Sequence, residues 1–222
     1  MLEIKSFVFG PFQTNTYVVS DGHHVLLIDP ACSNQYEQHQ LYQYINSQFS
    51  IANSQLSILN SQLSILNSQF SIIATHGHLD HLWGANWATE QWHTPVLMHE
   101  ADIPMATAMQ SQYELFGIPM KAEPFEKENI QPEIIHIQSQ MGNFELLETP
   151  GHTRGSICLY FPEEKTLFSG DTLFRMGYGR TDLPGGNMGQ LINSLDRLFE
   201  LPPDVRVYPG HGDPTTIGAE RR

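Results

Sequence analysis

Two groups of short apolar runs, each accompanied by helical patterns, predict an α/β (α+β) fold. The expected architecture is a four-layer αββα sandwich of two mixed β-sheets flanked by helices, with functional loops at one edge. In chain order, Met1 to Val19 and His24 to Ile28 read as strands of a first sheet, and a helix is expected at about Gln35 to Tyr44. Leu82 to Gln91 reads as a helix, Pro95-Val96-Leu97-Met98 as a short strand ending at His99, and Glu100 to Gln112 as helical with Asp102 early in it. Phe116 to Gln131 is rich in charge, proline and glycine and reads as a mobile flap. Ile134 to Ile137, Phe144 to Leu147, Ile157 to Phe161, Thr166 to Phe168 and Val205 to Tyr208 read as strands of a second sheet. Met188 to Phe199 alternates apolar and polar residues at helical spacing.

The 222 residues suffice for one substantial core, so a single domain over 1–222 is expected. Acidic residues outnumber Lys and Arg by 24 to 11, which argues against nucleic acid or an anionic membrane as partner. Cys32 and Cys158 form no C-x-x-C pair and are too few for a disulfide framework, so a reducing compartment is expected. No basic segment followed by a long apolar stretch opens the chain, and no later run could span a bilayer. Both features point to the cytoplasm.

The densest chemistry lies in Thr75-His76-Gly77-His78-Leu79-Asp80-His81, three imidazoles and a carboxylate within seven residues. Neutral imidazole is the commonest protein metal ligand, and a carboxylate suits the same divalent cations. His76 and His78 occupy alternate positions and can point the same way from a strand end. Asp80 and His81 follow as the chain bends, so one loop can face two metals. A His-rich surface loop is the plain alternative, and three further sites weigh against it. His152 lies in Thr149-Pro150-Gly151-His152-Thr153, Asp171 in Ser169-Gly170-Asp171-Thr172, and His211 in Tyr208-Pro209-Gly210-His211-Gly212. Each follows a short β-type run, and a glycine precedes each. Strands that end in glycine turns bring single ligands to one rim. Carboxylates and imidazoles without a thiolate suit Zn²⁺ first, with Fe or Mn²⁺ as alternatives.

This set resembles the metallo-β-lactamase fold superfamily, and within it the glyoxalase II-like (hydroxyacylglutathione hydrolase-like) branch of compact bacterial type. Phe9-Gly10-Pro11-Phe12-Gln13-Thr14-Asn15-Thr16-Tyr17 looks like that branch's first hairpin, and Leu27-Ile28-Asp29-Pro30 like its next strand end. Gly170-Asp171-Thr172-Leu173-Phe174, continuing to Gly179-Arg180-Thr181-Asp182-Leu183-Pro184-Gly185-Gly186, looks like a signature of its compact members, and Thr215 to Glu220 fits their ending. The resemblance implies two divalent metal ions. His76, His78 and His152 would hold the first, Asp80, His81 and His211 the second, and Asp171 would bridge them. It further implies a metal-bridging hydroxide, with Asp80 as the catalytic residue that holds the nucleophile. The implied activity is hydrolysis of small acyl thioesters such as S-lactoylglutathione.

The resemblance also sorts the branches. Zinc β-lactamases of the main subgroup carry a cysteine where this chain has Asp171. Flavodiiron proteins use a glutamate where it has His78, and the RNA-processing branch wants a basic surface. The alternative that stays open is a mononuclear-iron glutathione persulfide dioxygenase, which would bind iron through His76, His152 and Asp171. Arg180 stands nine positions after Asp171, where glyoxalase II enzymes place a basic residue that reaches a glutathione carboxylate. The other reading of Arg180 is an ion pair with Asp182 or Asp196. Those enzymes also carry a C-terminal helical extension with basic contacts. Here 11 residues follow His211, so a broader thioester range is expected.

One region departs from ordinary globular sequence. From Asn46 to Ile73 the unit Asn-Ser-Gln-[Phe/Leu]-Ser-Ile-x occurs four times, at Asn46, Asn53, Asn60 and Asn67. It reads as a heptad-repeat insertion at about 46–70, between a helix and the strand that feeds the histidine-rich loop. Its apolar positions at alternating spacings of three and four suggest an extended amphipathic helix, the last copy becoming strand from Phe70 to Ala74. The stripe reads as tolerated surface decoration or as a homo-oligomer contact.

Overall fold

The computed structural model describes residues 2–53, 70–119, 123, 125–132 and 144–221. Strands β1 (Glu3–Phe9) and β2 (Thr14–Ser20) form the first hairpin, in register from Glu3 opposite Ser20 to Phe9 opposite Thr14. β2 pairs antiparallel with β3 (Val25–Ile28), and from β3 the sheet continues in parallel through β4 (Phe70–Ile73), β5 (Val96–Leu97) and β6 (Ile130–Gln131). Parallel neighbours need crossovers. Helix α1 (Gln35–Asn53) begins the one between β3 and β4, and α2 (Ala85–Trp92) lies between β4 and β5. A 3₁₀ turn (Glu100–Asp102) and helices α3 (Ile103–Thr107) and α4 (Met109–Leu115) fall between β5 and β6.

The second sheet contains β7 (Glu145–Glu148), β8 (Ile157–Phe161) and β9 (Thr166–Gly170). A small ribbon, β10 (Leu173–Phe174) with β11 (Gly177–Tyr178), follows, then α5 (Met188–Leu198). Strands β12 (Arg206–Pro209) and β13 (Thr215–Thr216) complete the sheet in the order β13-β12-β9-β8-β7, and α6 (Ile217–Glu220) closes the described chain. Strands β12 and β9 run parallel and the other neighbours antiparallel, so both sheets are mixed.

Alternation along single strands builds the four layers. In β3, Val25 and Leu27 face one cluster with Leu41 and Ile45 of α1 and Ala88 and Trp92 of α2, while Leu26 and Ile28 face another. That second cluster lies between the sheets, where Leu26, Ile28 and Ile73 meet Leu159, Phe161 and Phe168. In β8, Ile157, Leu159 and Phe161 belong to it, whereas Cys158 and Tyr160 turn to Leu191, Leu195 and Leu198 of α5. A continuous apolar run is what a strand buried on both faces requires. The predicted αββα sandwich is the observed fold.

The elements differ from expectation in several places, and the segment read as a flap over Phe116 to Gln131 ends in a 3₁₀ turn (Lys127–Asn129) and strand β6 of the first sheet. The helix expected over Glu100 to Gln112 is broken at Ala108, which has φ −94° and ψ 38°. The break lets Met105 O accept from both Ala108 N and the Gln112 side chain. The helix expected from Leu82 starts only at Ala85, because turns closed by His81 N to His78 O and Leu82 N to Leu79 O carry the preceding loop. Helix α1 runs beyond Tyr44 through the first repeat copy to Asn53. The expectations for residues 54–69 and for a strand at Ile134 to Ile137 lie outside the described residues. Among the described residues no helix is long and apolar enough to cross a membrane.

Candidate metal centre

Strand ends from both sheets converge on one edge. The loop after β4 carries His76, His78, Asp80 and His81, the turn after β7 carries His152, the end of β9 carries Asp171, and the end of β12 carries His211. All seven predicted positions come together. The candidate ligand atoms form three overlapping groups: His76, His78 and His152; His76, His81 and Asp171; and Asp80, His81 and His211. Within each group the atoms lie within 4.8 Å of one another.

In the first group three ring nitrogens point at one another, His78 Nδ1 lying 3.1 Å from His76 Nε2 and 2.8 Å from His152 Nε2. Imidazoles bound to one tetrahedral Zn²⁺ at about 2.0–2.1 Å would place their nitrogens about 3.4 Å apart, close to this spacing. Outer hydrogen bonds set the rings. His152 Nδ1 donates to Arg180 O at 2.7 Å, and His76 Nδ1 lies 3.1 Å from Thr75 Oγ1, whose hydroxyl donates to Asp29. Fixing the outer nitrogen leaves the inner lone pair for a cation. Burial, reinforced by neighbouring imidazoles, pushes His78 down to about 3 and His76 well below the ordinary histidine value, so both rings are neutral, as ligands must be.

Asp171 sits between the groups. Its Oδ1 is 3.4 Å from His81 Nε2, and its Oδ2 is 3.5 Å from both His152 Nε2 and His211 Nε2. His81 Nε2 and Asp171 Oδ1 are buried without a hydrogen-bond partner. Orphaned buried polar atoms are costly, and a shared cation is the partner this pair fits. Asp80 Oδ2 lies 3.3 Å from His211 Nε2 and accepts from Thr14 Oγ1 at 2.7 Å. Burial alone would raise the carboxyl groups of Asp80 and Asp171. The imidazoles of His81 and His211 outweigh it, so Asp80 falls to about 2 and Asp171 well below the ordinary range.

The remaining imidazoles respond oppositely. Burial works against a proton on His211, but Asp171 and Asp80 raise it to about 9, and His81 is raised well above its ordinary value by its three carboxylate neighbours. Without metal, His211 therefore carries a proton at neutral pH that an incoming cation must displace. Metal loading is expected to release protons, and the His211 proton alone should make affinity rise up to ~10-fold per pH unit until about pH 9. Calorimetric metal titrations in buffers of different ionisation enthalpy read this directly. A pH-independent affinity would remove His211 from the ligand set.

Several supporting residues were not assigned roles by the sequence. Asp29 ends β3 at φ 52°, a left-handed conformation that Asp tolerates. It accepts from Thr75 N at 2.7 Å and faces His81 Nδ1 at 2.9 Å, directing His81 Nε2 into the cluster. Asp102 accepts from Gly77 N, Gly155 N and Thr153 Oγ1 at 2.9, 2.7 and 2.6 Å, tying the histidine-rich loop to the loop of His152. Gln112 accepts from Leu79 N and donates to Gly77 O. Asn15 and Tyr17 donate to Pro209 O, holding the turn before His211. A carboxylate closing the apolar run of β3 was a signal for Asp29; nothing local marked Asp102. Arg180 places its guanidinium on Asp182, with Nε and Nη2 at 2.7 and 2.6 Å from the two carboxylate oxygens.

The metallo-β-lactamase superfamily model matches residues 9–211, which include all seven positions. The chain belongs to the metallo-β-lactamase superfamily. Among its relatives, the hydroxyacylglutathione hydrolase GloC of Haemophilus influenzae is 37% identical over 159 residues, covering 68% of this chain and 72% of that protein. TTHA1623, solved in a di-iron-bound form, superimposes with a TM-score of 0.72 at 33% identity, covering 98% of this chain and 97% of its own. The B3 metallo-β-lactamase BLEG-1 gives 0.71 at 29%, covering 99% and 96%. Superfamily membership and the His/Asp cluster together make this a metal-binding protein of the metallo-hydrolase type.

Proposed function

We propose that this chain is a cytoplasmic, metal-dependent hydrolase of small acyl thioesters of the S-lactoylglutathione type. The observation that carries the reading is Asp171, a buried carboxylate shared by two groups of imidazoles, with Oδ1 and the facing His81 Nε2 both partnerless. His76, His78 and His152 would hold one divalent cation, Asp80, His81 and His211 a second, and Asp171 would touch both. Such a pair supplies Lewis-acid polarisation of a carbonyl and brings the pKa of water toward neutrality.

The chain's own residues do the rest. Asp80 Oδ2 is held by Thr14 Oγ1 and points at His211, so it can accept a proton or hydrogen bond from an attacking water. No serine or cysteine need attack, and both cysteines are buried as free thiols. Asp80→Asn keeps the shape but loses the charge and acceptor strength. Its kcat is expected to fall by more than ~10-fold with a smaller change in KM. Unchanged turnover at full metal content would refute the role.

Several features weigh on neighbouring readings. A single-iron centre would use His76, His152 and Asp171 and leave Asp80, His81 and His211 clustered without a task. The lack of a cysteine separates this site from cysteine-bearing β-lactamases, while likeness to BLEG-1 brings β-lactams into the test. For Arg180 to reach a glutathione carboxylate it would have to exchange Asp182 for it. The likeness to GloC supports the thioester. The deciding experiment pairs metal analysis with three assays: S-lactoylglutathione hydrolysis, opening of a chromogenic β-lactam, and O₂ uptake with glutathione persulfide. Two metals with thioester hydrolysis is the expected result. One iron with O₂ uptake, or a β-lactam cleaved faster than the thioester, would overturn it.

A further inference from the structure

A cavity of about 380 Å³ opens beside His78, within the size range of small-ligand sites. Its walls are mainly apolar, from Met105, Ala108, Leu115, Phe116 and Leu183, and Arg154 also lines it. Asp102 lines it too, but three donors already engage that carboxylate. Arg154 follows the ligand-bearing turn by two residues. Gly185 in the neighbouring turn has φ +92°, and a Cβ there would come within 3.3 Å of Met105 Cε and 3.9 Å of Arg154 Cγ.

The other described arginines have partners. Arg175 and Arg180 pair with Asp213 and Asp182, Arg197 and Arg221 donate to carbonyls, and Arg206 lies over the ring of Tyr208. Among the described residues no hydrogen bond or ion pair engages Arg154. In a chain of net charge −13, Arg154 is solvent-exposed, lines an apolar cavity and has no carboxylate partner among the described residues, so its guanidinium is free to take an anion.

We infer that Arg154 is a specificity-determining residue, and that the substrate carries an apolar arm ending in a carboxylate. The arm fills the cavity beside His78 and its carboxylate meets the Arg154 guanidinium, while the scissile carbonyl lies at the His/Asp cluster. This rests on the thioester-hydrolase reading but departs from its glutathione example, because it places the anion on a hydrocarbon arm. The arm could belong to the acyl group or to the thiol.

Equilibrium binding to the metal-loaded protein tests the anchor independently of turnover. Adipate and suberate are compared with hexanoate and octanoate by calorimetry, for wild type, Arg154→Gln and Arg154→Lys. The wild type is expected to bind a dicarboxylate at least ~10-fold tighter than its monocarboxylate counterpart. Arg154→Gln should abolish the preference, and Arg154→Lys should retain part of it. Equal binding of the pairs, or a preference that survives Arg154→Gln, overturns the inference. Turnover then assigns the arm. S-ethyl adipoyl and S-ethyl hexanoyl thioesters place the contrast on the acyl side, and S-acetyl-6-mercaptohexanoate with S-hexyl thioacetate places it on the thiol side. A preference for the charged member of either pair, lost in Arg154→Gln, supports the anchor and names the side. If both pairs are cleaved with no such preference, the inference fails as a statement about substrate. If the binding preference is present and no thioester is cleaved, the anchor stands and the hydrolase reading falls.

Discussion

Asp171→Ala is expected to abolish turnover, lowering kcat/KM by on the order of 10³-fold or more, about 4 kcal/mol of transition-state stabilisation. The carboxylate stands within 3.5 Å of His81, His152 and His211, so it touches both imidazole sets. Removing it takes away one of the three carboxylates that face buried His81, leaving Asp80 and Asp29, and weakening a buried charge cluster is unfavourable. It also lowers the proton affinity of His211, since Asp171 is the largest favourable influence on that raised value. The variant should therefore lose metal on dialysis, release fewer protons on reloading, and keep its secondary structure, since the β9 strand that bears it is packed independently of the carboxylate. Elemental analysis and circular dichroism check these points together. A variant that keeps two metals and wild-type turnover would remove Asp171 from the centre of the chemistry.

Much of the site was legible because its ligands obey a local rule. Each of His152, Asp171 and His211 follows a strand and a glycine, and the structure gives the steric reason at Gly210. A Cβ there would lie 2.2 Å from Asp171 Oδ1 and 2.7 Å from His81 Cε1, so only glycine lets β12 approach the cluster. The two sheets were legible for a similar reason, since runs such as Val25–Ile28 and Ile157–Phe161 feed different clusters from alternate residues. What stayed hidden depends on contacts between distant segments. Asp29 reaches His81 across 52 residues, and Asp102 reaches Thr153 across 51. The break at Ala108 accompanies a hydrogen bond from the Gln112 side chain to Met105 O, which no helical periodicity reports. The sequence left Arg180 between a substrate carboxylate and a neighbouring acid, and the structure places it on Asp182, leaving Arg154 as the unpaired arginine at the cavity.

Asp102→Ala is the second large effect, and it separates holding the site together from holding the fold together. Asp102 is buried, and its removal strands the N–H groups of Gly77 and Gly155 and the hydroxyl of Thr153. Each stranded buried donor costs about 1–3 kcal/mol, offset where water can enter, so a loss of roughly 3 kcal/mol is expected. For a domain of this size that lowers Tm by about 6–12 °C. The bridged loops carry His76, His78 and His152, so their separation should also weaken metal binding by ~10–100-fold, the scale seen when outer partners of metal ligands are lost. Leu195→Ala is the control, because Leu195 of α5 packs against the outer face of the second sheet and is not among the ligand groups. It should cost a similar ~2–5 kcal/mol through its cavity alone. If metal affinity falls in Asp102→Ala but not in Leu195→Ala, Asp102 positions the ligands. If both variants keep wild-type metal affinity despite their lower Tm, the two loops hold their geometry without Asp102.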